Sequence, residues 1–196
     1  MEHFHTEAFP DPLEYDSEQG GFLRFVVDVF ETLLLSLILF LVINAISARI
    51  RVDGMSMEPT LQTGEYVIVN KLSYRVDDPE HGDIVVFHFP RNPQDEYIKR
   101  VIGLPGDEVQ IEQGTVLVNG IVLDEPYISS DPSYSGTWTV PADALFVLGD
   151  NRNNSSDSHS WGWVPMEFVI GKAVFVYWPP TNWGIIEQPT NALAAP

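Results

Sequence analysis

A serine hydroxyl is a poor nucleophile until a neighbouring base removes its proton. Two segments of this chain supply the parts for such a pair. Ser56 stands in Asp53-Gly54-Met55-Ser56-Met57-Glu58-Pro59-Thr60-Leu61, and Lys99 in Tyr97-Ile98-Lys99-Arg100-Val101-Ile102. None of the five histidines lies in either segment, so the proton acceptor would be a lysine amine that has lost its charge. A strand's two-residue period puts Tyr97, Lys99 and Val101 on one face, and Ile98, Arg100 and Ile102 on the other. Lys99 then shares its face with an aromatic and a branched aliphatic residue, and burial there would lower its pKa from the free value of about 10.4. Taken alone, Lys99 has a second reading, a stem packed along a sheet with its head in water.

The elements that must position these residues fall into three parts. Residues 1–21 read as an acidic tail with no periodic apolar face and too little apolar surface to offset ordering entropy. Its His3-x-His5 pair reads either as a loose metal ligand or as part of an unstructured terminus. Residues 22–48 contain the uncharged run 32–46 and, before it, only Arg24, Asp28 and Glu31 as charges, which predicts one helix long enough to cross about 30 Å of hydrocarbon. Residues 49–196 predict an antiparallel β domain, mainly β, with a small β annex at roughly 106–145. Runs at 66–70, 83–89, 97–102, 108–111, 115–118, 144–148 and 172–177 read as strands. Asn119-Gly120 reads as a type I′ hairpin turn, since both residues accept positive φ.

Composition removes several function classes. The chain has no cysteine, which excludes disulfides, thiolate metal sites and thiol catalysis. A net charge of −18 over 196 residues argues against nucleic acid as a partner, because phosphates would be repelled. The chemistry outlined here requires neither a cofactor nor a metal.

Four segments in order after the apolar stretch carry a family resemblance. They are Gly54-Met55-Ser56-Met57-Glu58-Pro59-Thr60-Leu61, Gly82-Asp83-Ile84-Val85-Val86-Phe87, Lys99-Arg100-Val101-Ile102-Gly103-Leu104-Pro105-Gly106-Asp107, and Gly149-Asp150-Asn151-Arg152-Asn153-Asn154-Ser155-Ser156-Asp157-Ser158. The chain resembles the bacterial type I signal peptidases, membrane-bound serine-lysine endopeptidases. The resemblance implies Ser56 as nucleophile, Lys99 as general base and Ser155 as the hydroxyl that orients the amine. It also implies Arg100, Asp150 and Asp157 as structural supports, the Ser56 backbone N–H as oxyanion donor, and Val52, Met57, Leu61, Tyr97 and Ile98 as lining of the substrate pockets. Two positions depart from part of the family: Gly54, where some members carry a second oxyanion-binding serine, and His159, where many carry an arginine that pairs with the aspartate two residues earlier.

The resemblance further implies removal of signal peptides, with small residues at positions −1 and −3, from exported preproteins. It implies a plasma-membrane or thylakoid-membrane enzyme whose catalytic domain lies outside the cytoplasm. Arg49 and Arg51 after the apolar run, against Arg24 before it, lean the other way. Rival readings are a serine-lysine peptidase dedicated to one substrate and a non-catalytic membrane-tethered β-domain. The terminal Ala192-Leu193-Ala194 reads as a self-cleavage site or as a frayed end.

Overall fold

A computed structural model describes residues 16–189. His3, His5 and the terminal Ala-x-Ala pattern lie outside the described residues. The chain divides into two compact units, one before Ile46 and one from Ile46 onward.

The described part of the first unit is helix α1 (Asp16–Ile46), whose last residue belongs to the second. The helix begins within the stretch read as tail: once the apolar segment has nucleated the helix each added residue gains a hydrogen bond, although Gly20 and Gly21 each cost about 1 kcal/mol relative to alanine. It ends before Ser47, which opens a strand instead. Gly21–Ile46 gives 26 residues, about 39 Å of helix, against about 30 Å of bilayer hydrocarbon. Its apolar side chains are exposed on every face, from Phe22 to Ile46. The hydroxyls of Thr32 and Ser36 donate to carbonyls one turn back, at 2.8 and 2.7 Å, so neither is left unpaired in an apolar solvent.

Among its described residues the second unit has twelve strands: β1 (Ser47–Arg51), β2 (Tyr66–Asn70), β3 (Ile84–Phe89), β4 (Asn92–Gly103), β5 (Glu108–Glu112), β6 (Thr115–Val118), β7 (Ile121–Val122), β8 (Gly136–Thr139), β9 (Ala144–Leu148), β10 (Val164–Pro165), β11 (Val169–Trp178) and β12 (Gly184–Ile185). The larger sheet has the order β1-β2-β11-β3-β4-β9-β10, with β12 added to β11. The smaller has the order β7-β6-β5-β8, and all pairs in both are antiparallel. The mainly β, antiparallel class expected from the strand pattern is the class found. Asn119 (φ 53°) and Gly120 (φ 78°) make the turn between β6 and β7. Strands β1, β8, β10 and β12 were not expected; they are short or polar, and each takes its conformation from the partner it pairs with.

Alternation along the central strands sorts the core. Ile84 and Val86 of β3 join Val52, Met57, Leu61 and Ile98 in one apolar cluster. Val85 and Phe87 join Val101, Leu145 and Val147 on the opposite face. Ile102, Phe146 and Leu148 pack against Val109, Ile111, Val116 and Val118 of the smaller sheet. Phe146 is fully buried there. Replacing it by alanine removes a large core side chain, and urea unfolding of the intact protein is expected to show a loss of about 3–5 kcal/mol. A loss under about 1 kcal/mol would show that the two sheets do not share this core.

Candidate active site

Ser56 lies on the turn between β1 and β2, which folds because two of its side chains are core residues. Met57 and Leu61 are fully buried, and Glu58 N–H to Met55 C=O (3.1 Å) and Leu61 N–H to Met57 C=O (2.9 Å) close the turn. Ser56 itself stays half-exposed. Its backbone N–H makes no hydrogen bond among the described residues, whereas its C=O does.

Lys99 lies on β4, paired in register with Val85 of β3. It is 4% exposed. Its Nζ is 2.7 Å from Ser56 Oγ, donates to the Ile98 carbonyl at 2.9 Å, and stands 5.3 Å from the centre of the Tyr97 ring. Burial lowers the Lys99 pKa to about 8, against the charges of Asp157 and Asp150, which pull it upward. Near that pH the amine exchanges between a form that donates to Ser56 and a form that accepts its proton.

The next residue, Arg100, points to the other face and is fully buried with Asp150. Nε and Nη2 reach the two carboxylate oxygens at 2.8 and 2.7 Å, and Nη1 donates to Gly82 C=O at 2.8 Å. Thr60 Oγ1 donates to the same carboxylate at 2.5 Å. One ion pair therefore ties together the strand of Lys99, the turn of Ser56 and the segment that begins at Gly149. Removing either partner of a buried pair like this leaves a stranded charge, at a cost of about 3–5 kcal/mol.

Asn151 completes the tie. Its N–H donates to Ser56 C=O at 3.0 Å and its Nδ2 to Met55 C=O at 3.1 Å, so one residue grips the nucleophile turn twice. Sequence reasoning gave Asn151 no role beyond a turn; its only signal was its place directly after Asp150. Gly149 is needed for the same contact. A Cβ there would collide with Ser155 Oγ and with the Ser56 carbonyl oxygen.

Asp157 is fully buried, and its two oxygens are used separately. Oδ2 accepts Gly149 N–H at 3.0 Å. Oδ1 lies 2.6 Å from His159 Nδ1 and caps the short helix Ser158–Trp161 through His159 N–H. A carboxylate accepts, so Nδ1 carries the proton in this contact. A histidine thus occupies the pairing position expected of arginine.

Ser155 differs from expectation. Its hydroxyl is buried against Gly149 and finds no hydrogen-bond partner among the described residues. The expected bond to Lys99 is not formed; Nζ is bonded to Ser56 and to the Ile98 carbonyl instead. The pocket residues also divide. A cleft of about 680 Å³ holds both Ser56 and Lys99 and is lined by Tyr97 and Ile98. Val52, Met57 and Leu61 do not line it; at 2, 0 and 0% exposure they are core packing beneath the turn. Instead Ile50, Gly54 and Met55 line the cleft, together with Gln94, Asp95 and Glu96. Gly54 (φ 90°) opens onto free space, where a Cβ would meet nothing within 4 Å.

A buried lysine therefore lies against a half-exposed serine in an open cleft. The family described as signal peptidase, peptidase S26, matches residues 25–178. A probable signal peptidase I-2 of Synechocystis sp. is 47% identical over 82% of this chain and 77% of that one. Signal peptidase I of Leptolyngbya laminosa is 46% identical over 85% and 86%. The chloroplastic thylakoidal processing peptidase 1 of Arabidopsis thaliana is 39% identical over 71% of this chain and 44% of its own length. The chain belongs to the signal peptidase I family of serine endopeptidases, peptidase S26.

Gly149→Ala is the most local test of this geometry. The added methyl must displace Ser155 or the Ser56 carbonyl, and a misplacement near 1 Å costs about 10²-fold in rate. A loss of that order in kcat for preprotein cleavage, with the melting temperature within a few degrees of the parent, is expected. Unchanged kcat would show that the Gly149–Ser56 contact does not set the site.

Proposed function

We propose that this protein is a membrane-anchored signal peptidase in which Ser56 is the nucleophile and Lys99 the general base. The observation that carries the proposal is the 2.7 Å separation of Lys99 Nζ and Ser56 Oγ with the lysine buried. Neutral Nζ takes the hydroxyl proton as Oγ attacks the carbonyl carbon at the cleavage site, giving a tetrahedral oxyanion. The Ser56 N–H, unengaged within the described residues, is the oxyanion donor on this reading. Lys99 then returns the proton to the departing amine of the mature protein, and the peptide C–N bond breaks to leave an acyl ester on Oγ. A water molecule, deprotonated by the same amine, attacks the ester; the signal peptide leaves as a carboxylic acid and Oγ regains its proton.

The substrate enters the cleft as an extended strand, its small side chains at −1 and −3 lodging near Ile98 and Tyr97. The catalytic unit faces the exported side of the membrane, where the cleavage site of a preprotein emerges. A plasma or thylakoid membrane is the host on this reading, which the name of one relative, a thylakoidal processing peptidase, supports. A reporter fused at the C-terminus is expected to be active outside the cytoplasm and silent within it; the opposite pattern would overturn this orientation.

The purified full-length protein is expected to cleave a model preprotein at Ala-x-Ala, and Ser56→Ala and Lys99→Ala to lose at least about 10³-fold in kcat. Alanine variants that still cut, or a parent that leaves the preprotein whole, would overturn the mechanism. Activity should rise with pH as Lys99 deprotonates, with a midpoint near 8. Since the neutral amine is the active form, a limb centred near the free histidine value of about 6.5 would contradict the assignment.

A further inference from the structure

The loop at 123–135, between β7 and β8, reads by composition as a free surface turn, with Pro126, Pro132 and several serines and aspartates. It is instead held against the segment that positions Ser56. Arg152 donates to both carboxylate oxygens of Glu125, Nη1 to Oε2 at 2.7 Å and Nη2 to Oε1, and this pair is almost fully buried. Asn153 Oδ1 accepts Ser133 N–H at 2.8 Å, and its Nδ2 donates to Asp131 C=O at 2.9 Å.

Two rings of this loop land on the two groups that hold the buried carboxylates. The Tyr127 ring lies 3.8 Å from Arg100 Cζ, and its hydroxyl donates to Glu125 at 2.9 Å. The Tyr134 ring stacks on His159 at 3.9 Å between centres, with 13° between planes. Arg100 holds Asp150, and His159 holds Asp157. Asp150 precedes Asn151, which grips the nucleophile turn, and Asp157 binds Gly149 N–H. Neither tyrosine lines the cleft that contains Ser56 and Lys99.

We propose that Tyr127 and Tyr134 are positioning residues, a pair of flat lids from one loop that keep Arg100 on Asp150 and His159 on Asp157 and so hold 149–157 against the turn of Ser56. A ring face removes water from one side of a planar cation and restrains its rotation, which keeps Arg100 in the plane of its two bonds to Asp150. The same face keeps the His159 imidazole turned so that Nδ1 meets Asp157. Burial, followed by the charge of Glu125 for Tyr127 and of Asp157 for Tyr134, raises both phenol pKa values, so both rings remain neutral at working pH.

The inference rests on the proposed role of Lys99, and its readouts are chosen to separate the two. Asp157 and Asp150 act on Lys99 by charge, and the cleft it lines also carries Arg51, Asp53, Asp95 and Glu96. Asp150 is faced by Arg100 and Thr60, and Asp157 by His159 and Gly149 N–H. Around the rings stand Glu125, Arg152 and Arg100 for Tyr127, and Asp157, Arg152 and Glu125 for Tyr134. Loosening Arg100 takes a positive charge, and loosening His159 a hydrogen bond, away from its carboxylate; either favours protonated Lys99 and moves the limb of the rate profile to higher pH.

The test uses the full-length protein and a model preprotein, with Tyr127→Met, Tyr134→Met, the two Phe variants and His159→Ala. Met fills the volume without a planar face. Each Met variant is expected to lose roughly tenfold or more in kcat, a change of about 1.4 kcal/mol in barrier height. KM should stay within about twofold and the limb move upward, because binding is left intact and only positioning is lost. Each Phe variant should restore most of the loss. Adding Tyr134→Met to His159→Ala should cost little beyond His159→Ala alone, since the ring acts through the imidazole. The proposal is overturned if the Met variants cleave as the parent does at every pH, if Phe fails as badly as Met, if the double variant is additive, or if the Met variants unfold while the Phe variants stay folded. Should Ser56→Ala or Lys99→Ala still cleave, the mechanism fails instead, whatever the tyrosines do.

Discussion

The site depends on keeping water away from one ammonium group. Lys99 is buried on β4, and its pKa falls to about 8 from the ordinary 10.5 even with Asp157 and Asp150 pulling the other way. That loss is a cost to the fold. Below pH 8 the amine is charged in both folded and unfolded chains, and burying it destabilises the folded state by about 3 kcal/mol. As pH rises from 8 to 10.5 the folded state holds fewer protons than the unfolded one, so the penalty fades and is gone above the unfolded pKa. The rest of the domain has to supply that energy and still place the amine within hydrogen-bonding reach of a serine.

The supply comes from packing, and the placement comes from charge. β3 and β4 bury apolar residues on both faces, which fixes the register that pairs Lys99 with Val85. Arg100 and Asp150 add little net stability as a buried pair but do specify geometry, because misaligning them strands two charges. Through Thr60 and Asn151 that one pair fixes both ends of the Ser56 turn. Asp157 repeats the device on Gly149, with a histidine where an arginine was expected. A single protonated Nδ1 is enough for one carboxylate oxygen when the other is occupied by a backbone N–H.

How much of this could be read from the sequence varies with the range of the interaction. The two-residue period of β4 separates Lys99 from Arg100, and the Asn119-Gly120 turn follows from local backbone preference, so both were legible. Pairing across the chain was less so. Ser155 is buried against Gly149, yet whether its hydroxyl reaches Lys99 depends on a tertiary arrangement that a motif does not encode. Val52, Met57 and Leu61 were expected to line pockets, but residues that hold a turn in place and residues that touch a substrate have the same apolar types. Tyr127 and Tyr134 gave no local signal, since a loop rich in proline and serine reads as surface until Arg152 and Asn153 are seen to bind it.

Burial beside Ser56 brings the Lys99 pKa down to about 8, so the neutral amine becomes available in mildly alkaline solution. The chain has only three lysines, Lys71, Lys99 and Lys172, so a protein labelled at lysine Cε gives three resonances, and Lys99→Arg identifies one. Titration of that resonance in the full-length protein by NMR is expected to show a midpoint near 8. A Lys99 midpoint close to 10.5, the ordinary lysine value, would contradict the account.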